Sequence, residues 1–245
     1  INWQEYLIAD DSADLSLVPS GVSPELALGV LGTTGLTAFF GLLHIGEPVA
    51  GDVVLISGAA GATGSVAAQI AKIKGCRVVG IAGGEEKCDW LVSECGVDVA
   101  IDYKSEALND ALSKHCPDGA NIFFDNVGGD TLEAGISHMA ENGRIVMCGG
   151  ISGYNDPDPK PGPSNLMTLI IRRIKMQGFI VLDYLDRAPG AIAQLSSWLE
   201  SGEIVSRVDL QHGFENVPST LERLFDGRNL GKQLLIVAEA ELPIP

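Results

Sequence analysis

The stretch VVLISGAAGATGS, residues 53–65, decides the fold of this chain. It opens with a run of branched aliphatic side chains, which is typical of a parallel strand buried on both faces. Gly58, Gly61 and Gly64 follow at intervals of three, and the apolar spacing beyond them predicts a helix over residues 65–74. Such glycines allow a tight turn, a close approach of the backbone to a pyrophosphate and close packing of helix on strand. The pattern therefore predicts a dinucleotide site, with an ordinary strand-to-helix turn as the alternative.

The end of the next strand, predicted over residues 77–81, bears on which dinucleotide binds. A chain that uses NAD is expected to place an acidic residue there, where it holds the ribose 2′-hydroxyl. Residues 82–84 are Ala-Gly-Gly instead, which leaves room for a 2′-phosphate, and Lys87 follows one helical turn later. Glu85 and Glu86 could serve a ribose, but their place in the first turn of a helix is also favoured by the helix dipole. The stretch favours NADP over NAD.

Composition limits the classes of function. The chain has 245 residues, is 46% hydrophobic and carries a formal net charge of -16, so it can bury a sizeable core and repels nucleic acid and anionic membrane surfaces. We therefore expect no nucleic-acid or membrane partner. A site for an anionic cofactor must then be locally basic, and the candidate residues are Lys87, Lys104, Arg172, Arg173 and Lys232.

Cysteines and histidines give no metal pattern. The five cysteines contain no C-x-x-C pair, which favours a reducing, cytoplasmic compartment and argues against a structural zinc. The four histidines share no helical metal spacing. Residues 26–46 lack charged side chains over a length that could span a membrane, but five glycines and three threonines favour a turn followed by a buried helix.

Strand and helix patterns alternate along the rest of the chain. This alternation predicts a doubly wound parallel α/β sheet, with the ligand outside the carboxyl ends of its strands. A proline-rich loop is expected over residues 154–164. The further predicted strands are 99–102, 121–125, 144–148, 175–181, 205–210 and 233–237, and the predicted helices are 85–95, 106–115, 131–139, 165–174, 188–201 and 218–225.

Several motifs together resemble the medium-chain dehydrogenase/reductase superfamily. Within it they resemble the zinc-free, NADP-dependent double-bond reductases, the group of prostaglandin, alkenal and curcumin reductases. The most specific motifs are SGYN at residues 152–155 and FIVLDY at residues 179–184, and Thr33 and Thr34 depart from the family's usual Met and Pro. The other motifs are GTTGLTAFFGL (32–42), SGAAGATGS (57–65), QIAKIKGCRVVGIAG (69–83), IDYK (101–104), FDNVGG (124–129), RIVMCGGISGYN (144–155) and NLGKQLL (229–235).

The resemblance implies NADPH-dependent reduction of a carbon–carbon double bond conjugated to a ketone or aldehyde. The substrate would then be a small enone or enal, and hydride would reach its β-carbon. Tyr154 matches the family's active-site tyrosine, whose hydroxyl would stabilise the developing enolate. The implied cofactor-binding residues are Gly58, Gly61, Ala62, Thr63, Gly64, Lys87, Tyr103, Asn126, Cys148, Gly149, Ile151, Ser152, Tyr154, Phe179, Ile180, Val181 and Asn229.

The resemblance also implies a domain division. Residues 1–28 match the end of a GroES-like β substrate domain and its linker, 29–205 the Rossmann domain, and 206–245 a segment that returns to the substrate domain. Most of that substrate domain is expected to be missing, so the polypeptide should retain NADP affinity better than enone turnover. Family members commonly dimerise. A quinone reductase of the same superfamily and a non-catalytic nucleotide-binding module stay open as alternatives.

Overall fold

The computed structural model describes residues 3–4, 8, 18, 21–158 and 161–237. Its central sheet consists of β1 Val53–Ser57, β2 Arg77–Ala82, β3 Val99–Asp102, β4 Ala120–Asp125, β5 Met139–Met147 and β6 Lys175–Gly178. All its pairings are parallel, and the strand order is β3-β2-β1-β4-β5-β6. This is the doubly wound Rossmann order, so the predicted fold class is confirmed. The winding direction reverses between β1 and β4, where such a sheet opens a crevice.

Helices cover both faces of the sheet, and the last helix packs on a separate C-terminal strand pair. They are α1 Pro24–Leu28, α2 Thr33–Phe40, α3 Ala62–Ile73, α4 Glu85–Ser93, α5 Leu108–His115, α6 Gly129–Ser137, α7 Met167–Ile171, α8 Ala188–Glu200 and α9 Val217–Phe225. Side chains of β1 and β4 alternate between two hydrophobic clusters, because successive strand residues point to opposite faces. Phe124 packs in the cluster with α2, α3, α4 and α8, whereas Phe123 packs in the cluster with α5 and α6. The site is therefore built on a sheet buried from both sides.

The uncharged stretch of residues 26–46 folds as short helical pieces. It contains α1, α2 and a π-helical segment over Gly41–Gly46. Leu36, Ala38 and Phe40 of α2 are buried, which agrees with the predicted turn and buried helix. Within the described residues, no helix has both the length and the apolar character needed to cross a membrane.

The C-terminal segment forms a separate pair of parallel strands, β7 Val208–His212 and β8 Lys232–Ile236. The first strand starts three residues later than the predicted 205–210. The reason is a clamp at Val205, whose N–H donates to Gln69 Oε1 at 2.7 Å and whose carbonyl accepts from Gln69 Nε2 at 3.0 Å. These backbone groups are therefore bound to α3 and cannot join a strand ladder. The predicted segment of residues 1–28 lies mostly outside the described residues, which include only 3–4, 8, 18 and 21–28 of it.

Residues 165–181 differ from the sequence prediction in two places. The helix predicted over 165–174 is reduced to α7, because Arg173 adopts a left-handed backbone with φ 55° that a helix cannot continue through. The strand predicted over 175–181 ends at Gly178. Beyond it, the Phe179 ring packs against Gly41, where an added Cβ would meet it at 2.5 Å. The chain then continues as a 3₁₀ segment, Val181–Arg187.

A matched pair of helical glycines tests this packing. An added Cβ at Gly135 in α6 would lie 2.1 Å from the buried Phe123 ring, whereas one at Gly190 in α8 would meet nothing within 4 Å. We expect Gly135→Ala to lower the free energy of unfolding by about 1–3 kcal/mol through overpacking. Gly190→Ala should raise the free energy of unfolding by about 0.5–1 kcal/mol, because alanine loses less backbone entropy than glycine when it folds into a helix. Urea unfolding measures both, and equal effects would contradict the packing described.

Candidate active site

The glycine turn brings α3 against β1 more closely than any side chain would allow. An added Cβ at Gly64 would lie 2.3 Å from the Gly58 carbonyl oxygen, and Gly58 itself has a left-handed φ of 57°. The helix begins at Ala62, three residues before the predicted start, so Gly64 belongs to its first turn. The unpaired N–H groups of this turn and the positive end of the helix dipole suit an anion such as a pyrophosphate.

A cleft of about 1240 Å³ runs along the carboxyl edge of the sheet. Its wall includes the residue directly after each of five strands. In the sheet order β3, β2, β1, β4 and β5, these residues are Tyr103, Gly83, Gly58, Asn126 and Cys148. The predicted site residues that line it are Gly58, Gly61, Ala62, Thr63, Gly64, Lys87, Tyr103, Asn126, Cys148, Gly149, Ile151, Ser152, Tyr154 and Asn229.

Three predicted site residues do not line this cleft. Phe179 and Ile180 directly follow β6, and Val181 begins the 3₁₀ segment after them; none of the three lines the cleft. The Phe179 ring faces inward and meets Tyr184 edge-on at 6.4 Å between ring centroids, while Ile180 is 60% exposed.

One end of the cleft gathers positive charge around Gly83. An added Cβ at Gly83 would lie 2.9 Å from the ring of Tyr103 and 2.9 Å from Lys104 Cε, so both side chains lie directly across this glycine. Burial, and then the neighbouring Lys104 charge, lower the pKa of Lys87. Two ammonium groups that repel each other beside a cleft suit an anionic ligand that would relieve the repulsion.

Of the acidic residues near this end, Asp226 lines the cleft and pairs with Arg228 at 2.8 Å, whereas the others face away from it. Asp102 at the end of β3 accepts from the backbone N–H of Gly84 at 2.7 Å and of Lys104 at 3.0 Å. These hydrogen bonds lower the pKa of Asp102, and they fix the loop rather than a ligand. Glu85 and Glu86 are exposed and absent from the cleft wall. This end therefore offers a ligand the Lys87 ammonium group and the Tyr103 hydroxyl, while the Asp226 carboxylate is paired with Arg228.

Two of the predicted basic candidates lie elsewhere. Arg172 donates to the Met139 carbonyl and Arg173 pairs with Glu141, both at the amino end of β5. Their predicted place near an anionic cofactor is wrong, because the carboxyl edge of a parallel sheet lies at the opposite end of the same strands. Lys232 does line the cleft, and burial lowers its pKa.

The centre of the cleft is held by a buried hydrogen-bond network. Asp125 is fully buried, and its carboxylate accepts from Ser57 Oγ at 2.6 Å, Val127 N at 3.1 Å and Gly128 N at 3.0 Å. Burial raises the pKa of Asp125, although these hydrogen bonds oppose the shift. Asn126 Nδ2 donates to the Ser57 carbonyl at 2.7 Å, which leaves its Oδ1 to accept a hydrogen bond. The network joins the ends of β1 and β4, where the crevice opens.

Tyr154 and Cys148 mark the far end of the cleft. The Tyr154 hydroxyl oxygen accepts from Gly150 N at 3.2 Å, so its own proton is left to donate, and the side chain is 65% exposed. A 3₁₀ turn over Ile151–Gly153 carries the tyrosine, and Ser152 Oγ fixes this turn to the Val127 carbonyl at 2.7 Å. Burial, and then the Asp125 charge, raise the pKa of Cys148 to about 12. This end offers a phenol donor and a neutral thiol.

Sequence reasoning did not name several parts of the cleft wall. Thr34 and Thr37 of α2 line it; the sequence marked Thr34 as a departure from the family pattern, but neither threonine was among the predicted site residues. The end of α9 and the turn after it also line the cleft, through Leu224, Phe225, Asp226 and Gly227. Reasoning from strand ends could not find this turn, because it belongs to the C-terminal strand pair and reaches the cleft only through tertiary packing.

Comparison with known proteins gives the family. The family model described as zinc-binding dehydrogenase matches residues 62–200. The chain belongs to this family, within the medium-chain dehydrogenase/reductase superfamily. The NADPH-dependent curcumin reductase of Escherichia coli is 38% identical over 96% of this chain and 70% of its own length. The NADP-dependent 2-alkenal reductase of Nicotiana tabacum is 41% identical over 96% of this chain and 69% of its own length.

The resemblance extends to the backbone of a solved structure. CurA of Vibrio vulnificus, in complex with NADPH, is 43% identical and superimposes with a TM-score of 0.85. The match covers 92% of this chain and 68% of CurA. The resemblance to the double-bond reductases is thereby confirmed.

The family description raises the question of zinc. Among the described residues, no group of three or more His, Cys, Asp or Glu side chains is arranged to hold a metal ion. Those residues therefore do not fit a zinc centre.

The high pKa of Cys148 leads to a test of its reactivity. A free thiol has a pKa of about 8.5, so at about pH 8 its thiolate fraction greatly exceeds that of a group with a pKa of about 12. We expect iodoacetamide to alkylate Cys148 at least about a hundredfold more slowly than N-acetylcysteine in the same solution. Peptide mass spectrometry measures the rates, and alkylation of Cys148 at a comparable rate would contradict the protonated thiol.

Proposed function

We propose that this chain is an NADPH-dependent oxidoreductase that reduces the carbon–carbon double bond of α,β-unsaturated ketones and aldehydes. The observation that carries the proposal is the order of groups along one cleft. Cations stand at the β3 end, the glycine turn in the middle and the Tyr154 hydroxyl at the β5 end. That order fits a phosphorylated adenosine, a pyrophosphate and a reactive ring in sequence. The curcumin and 2-alkenal reductases that resemble the chain support the same chemistry.

The cation end would select the 2′-phosphate. Tyr103 and Lys87 line this end of the cleft and would donate to the phosphate, and the neighbouring Lys104 adds a second positive charge. An NAD-specific site would place a carboxylate for the ribose at the end of β2, but Asp102 of the next strand faces the loop backbone, and Asp226 of the cleft wall pairs with Arg228. The α3 N–H groups after Gly61 would hold the pyrophosphate, and Asn126 Oδ1 would accept from a ribose hydroxyl.

The tyrosine end would carry the chemistry. NADPH, when bound, supplies the hydride for the substrate β-carbon. Negative charge then develops on the carbonyl oxygen, and a positioned hydroxyl stabilises it most where water is excluded. Tyr154 is suited to donate that hydrogen bond, because Gly150 N already occupies its oxygen as an acceptor. The same hydroxyl, or water, would then protonate the α-carbon.

The proposal extends to organisation and environment. Residues 29–205 would form the dinucleotide-binding unit, and residues 206–245 would belong with a substrate domain. The five cysteines are free thiols, which suits a cytoplasmic location. We further propose that the reaction is zinc-independent, that no membrane is a partner, and that the protein acts as a homodimer.

Substitution at Lys87 tests the cofactor choice. We expect the unaltered chain to bind NADPH more tightly than NADH, and Lys87→Gln to weaken NADPH binding about 10- to 100-fold by removing a charge-assisted phosphate contact. NADH binding should stay within about twofold. Isothermal titration measures both affinities.

Two control variants show whether the loss of the positive charge at Lys87 is what weakens NADPH binding. Lys74→Gln removes an exposed lysine next to the far end of α3 and should change neither affinity. Lys87→Arg should keep the preference because it keeps the charge. Equal or tighter binding of NADH by the unaltered chain would contradict the role of Lys87.

Substitution at Tyr154 tests the reaction. We expect Tyr154→Phe to lower kcat for a 2-alkenal about 10- to 100-fold, since it removes the donor to the developing oxyanion. The affinity for NADPH should be unchanged, because the aromatic ring is retained. NADPH oxidation followed at saturating enal measures kcat. Turnover of quinones in place of enals, with kcat unaffected by the substitution, would support a quinone reductase instead.

A further inference from the structure

The end of α9 and the turn that follows it reach the cofactor cleft from outside the Rossmann sheet. Phe225 is the last residue of α9, is 41% exposed and lines the cleft together with Leu224 and Gly227. Among the described residues, it joins none of the hydrophobic clusters and none of the close ring pairs. A large aromatic surface exposed inside a ligand cleft is a candidate contact for a flat apolar group.

The helix that carries this ring is held firmly. Arg223 of α9 bonds to Asp209 of β7 at 2.6 Å and to Gln233 of β8 at 3.0 Å. Both Arg223 and Asp209 are mostly buried, with side-chain exposures of 24% and 13%. Burial opposes the charged form of Asp209, but the hydrogen bond from Arg223 helps to lower its pKa, so the pair stays ionised. The ring therefore projects from a rigid base, which reduces the entropy lost on binding a ligand.

The turn is tied to the cation end of the cleft. Lys87 Nζ donates to the Gly227 carbonyl at 2.7 Å, only two residues after Phe225. An ammonium group has three donors, so Lys87 can keep this bond and still face a phosphate. The apolar surface of the turn is thus next to the group that would bind the 2′-phosphate.

The covalent structure of the cofactor supplies the last step. In NADPH, the 2′-phosphate and the adenine are attached to neighbouring carbons of one ribose, so adenine must bind beside whichever residues hold that phosphate. We propose that Phe225 is the surface on which the adenine ring of the dinucleotide stacks. The inference rests on the proposed function, and adds a residue of the C-terminal segment to the cofactor site.

Binding of the adenosine half alone tests the inference. Adenosine 2′,5′-bisphosphate carries the adenine and the 2′-phosphate but lacks the nicotinamide. We expect Phe225→Ala to weaken both this compound and NADPH by the same factor of about 10, the size typical of a lost base–aromatic stack. Phe225→Tyr, which keeps the ring, should bind both within about twofold of the unaltered chain. Isothermal titration of the full 245-residue chain gives the affinities.

The control lies one turn earlier on the same helix. Leu221 is 40% exposed, close to the exposure of Phe225, but it does not line the cleft. Leu221→Ala should leave both affinities unchanged, with the thermal unfolding midpoint of each variant reported beside them. Equal weakening by Leu221→Ala, or unchanged affinity in Phe225→Ala, would overturn the stacking role. If the unaltered chain binds neither compound, the proposed function fails first and the inference fails with it.

Discussion

The approach of Gly64 to the Gly58 carbonyl is the constraint on which the rest of the site depends. With any side chain at Gly64, a carbon atom would stand 2.3 Å from that oxygen, so α3 would have to move away from β1. The helix start would then no longer point its free N–H groups into the crevice between β1 and β4. Cleft geometry, anion affinity and sheet packing all follow from one missing Cβ.

Charged side chains are distributed unevenly along the cleft. The chain carries a net charge of -16, yet its cleft places Lys87 beside Lys104 and directs Asp102 away into the loop backbone. A locally basic pocket on an acidic protein discriminates among anions by contact rather than by long-range attraction, because the overall field repels them. At the centre, Asp125 holds two strand ends together instead of facing a ligand.

The sequence predicted the parallel sheet well because buried strands and spaced glycines are local signals. Strand β3 was predicted at its observed bounds, and the glycine turn opens the cleft as expected. Failures arose where tertiary contacts override local pattern. Val205 left the predicted strand because Gln69 binds its backbone. Arg172 looked available by charge alone, yet the strand direction places it at the wrong edge. Phe225 gave no signal, since its role depends on how the C-terminal segment packs.

The bridge between Gly61 and Gly231 has a consequence for how the protein is made. It joins the glycine turn to a residue near the end of the described chain, and the Gln69 clamp on Val205 spans a comparable distance in sequence. Contacts this remote form late in folding, because the loop between them must be closed first. During synthesis the sheet can assemble as its strands emerge, but the cleft gains its last wall only when the C-terminal strands have left the ribosome. A nascent chain is therefore folded before it is competent to bind.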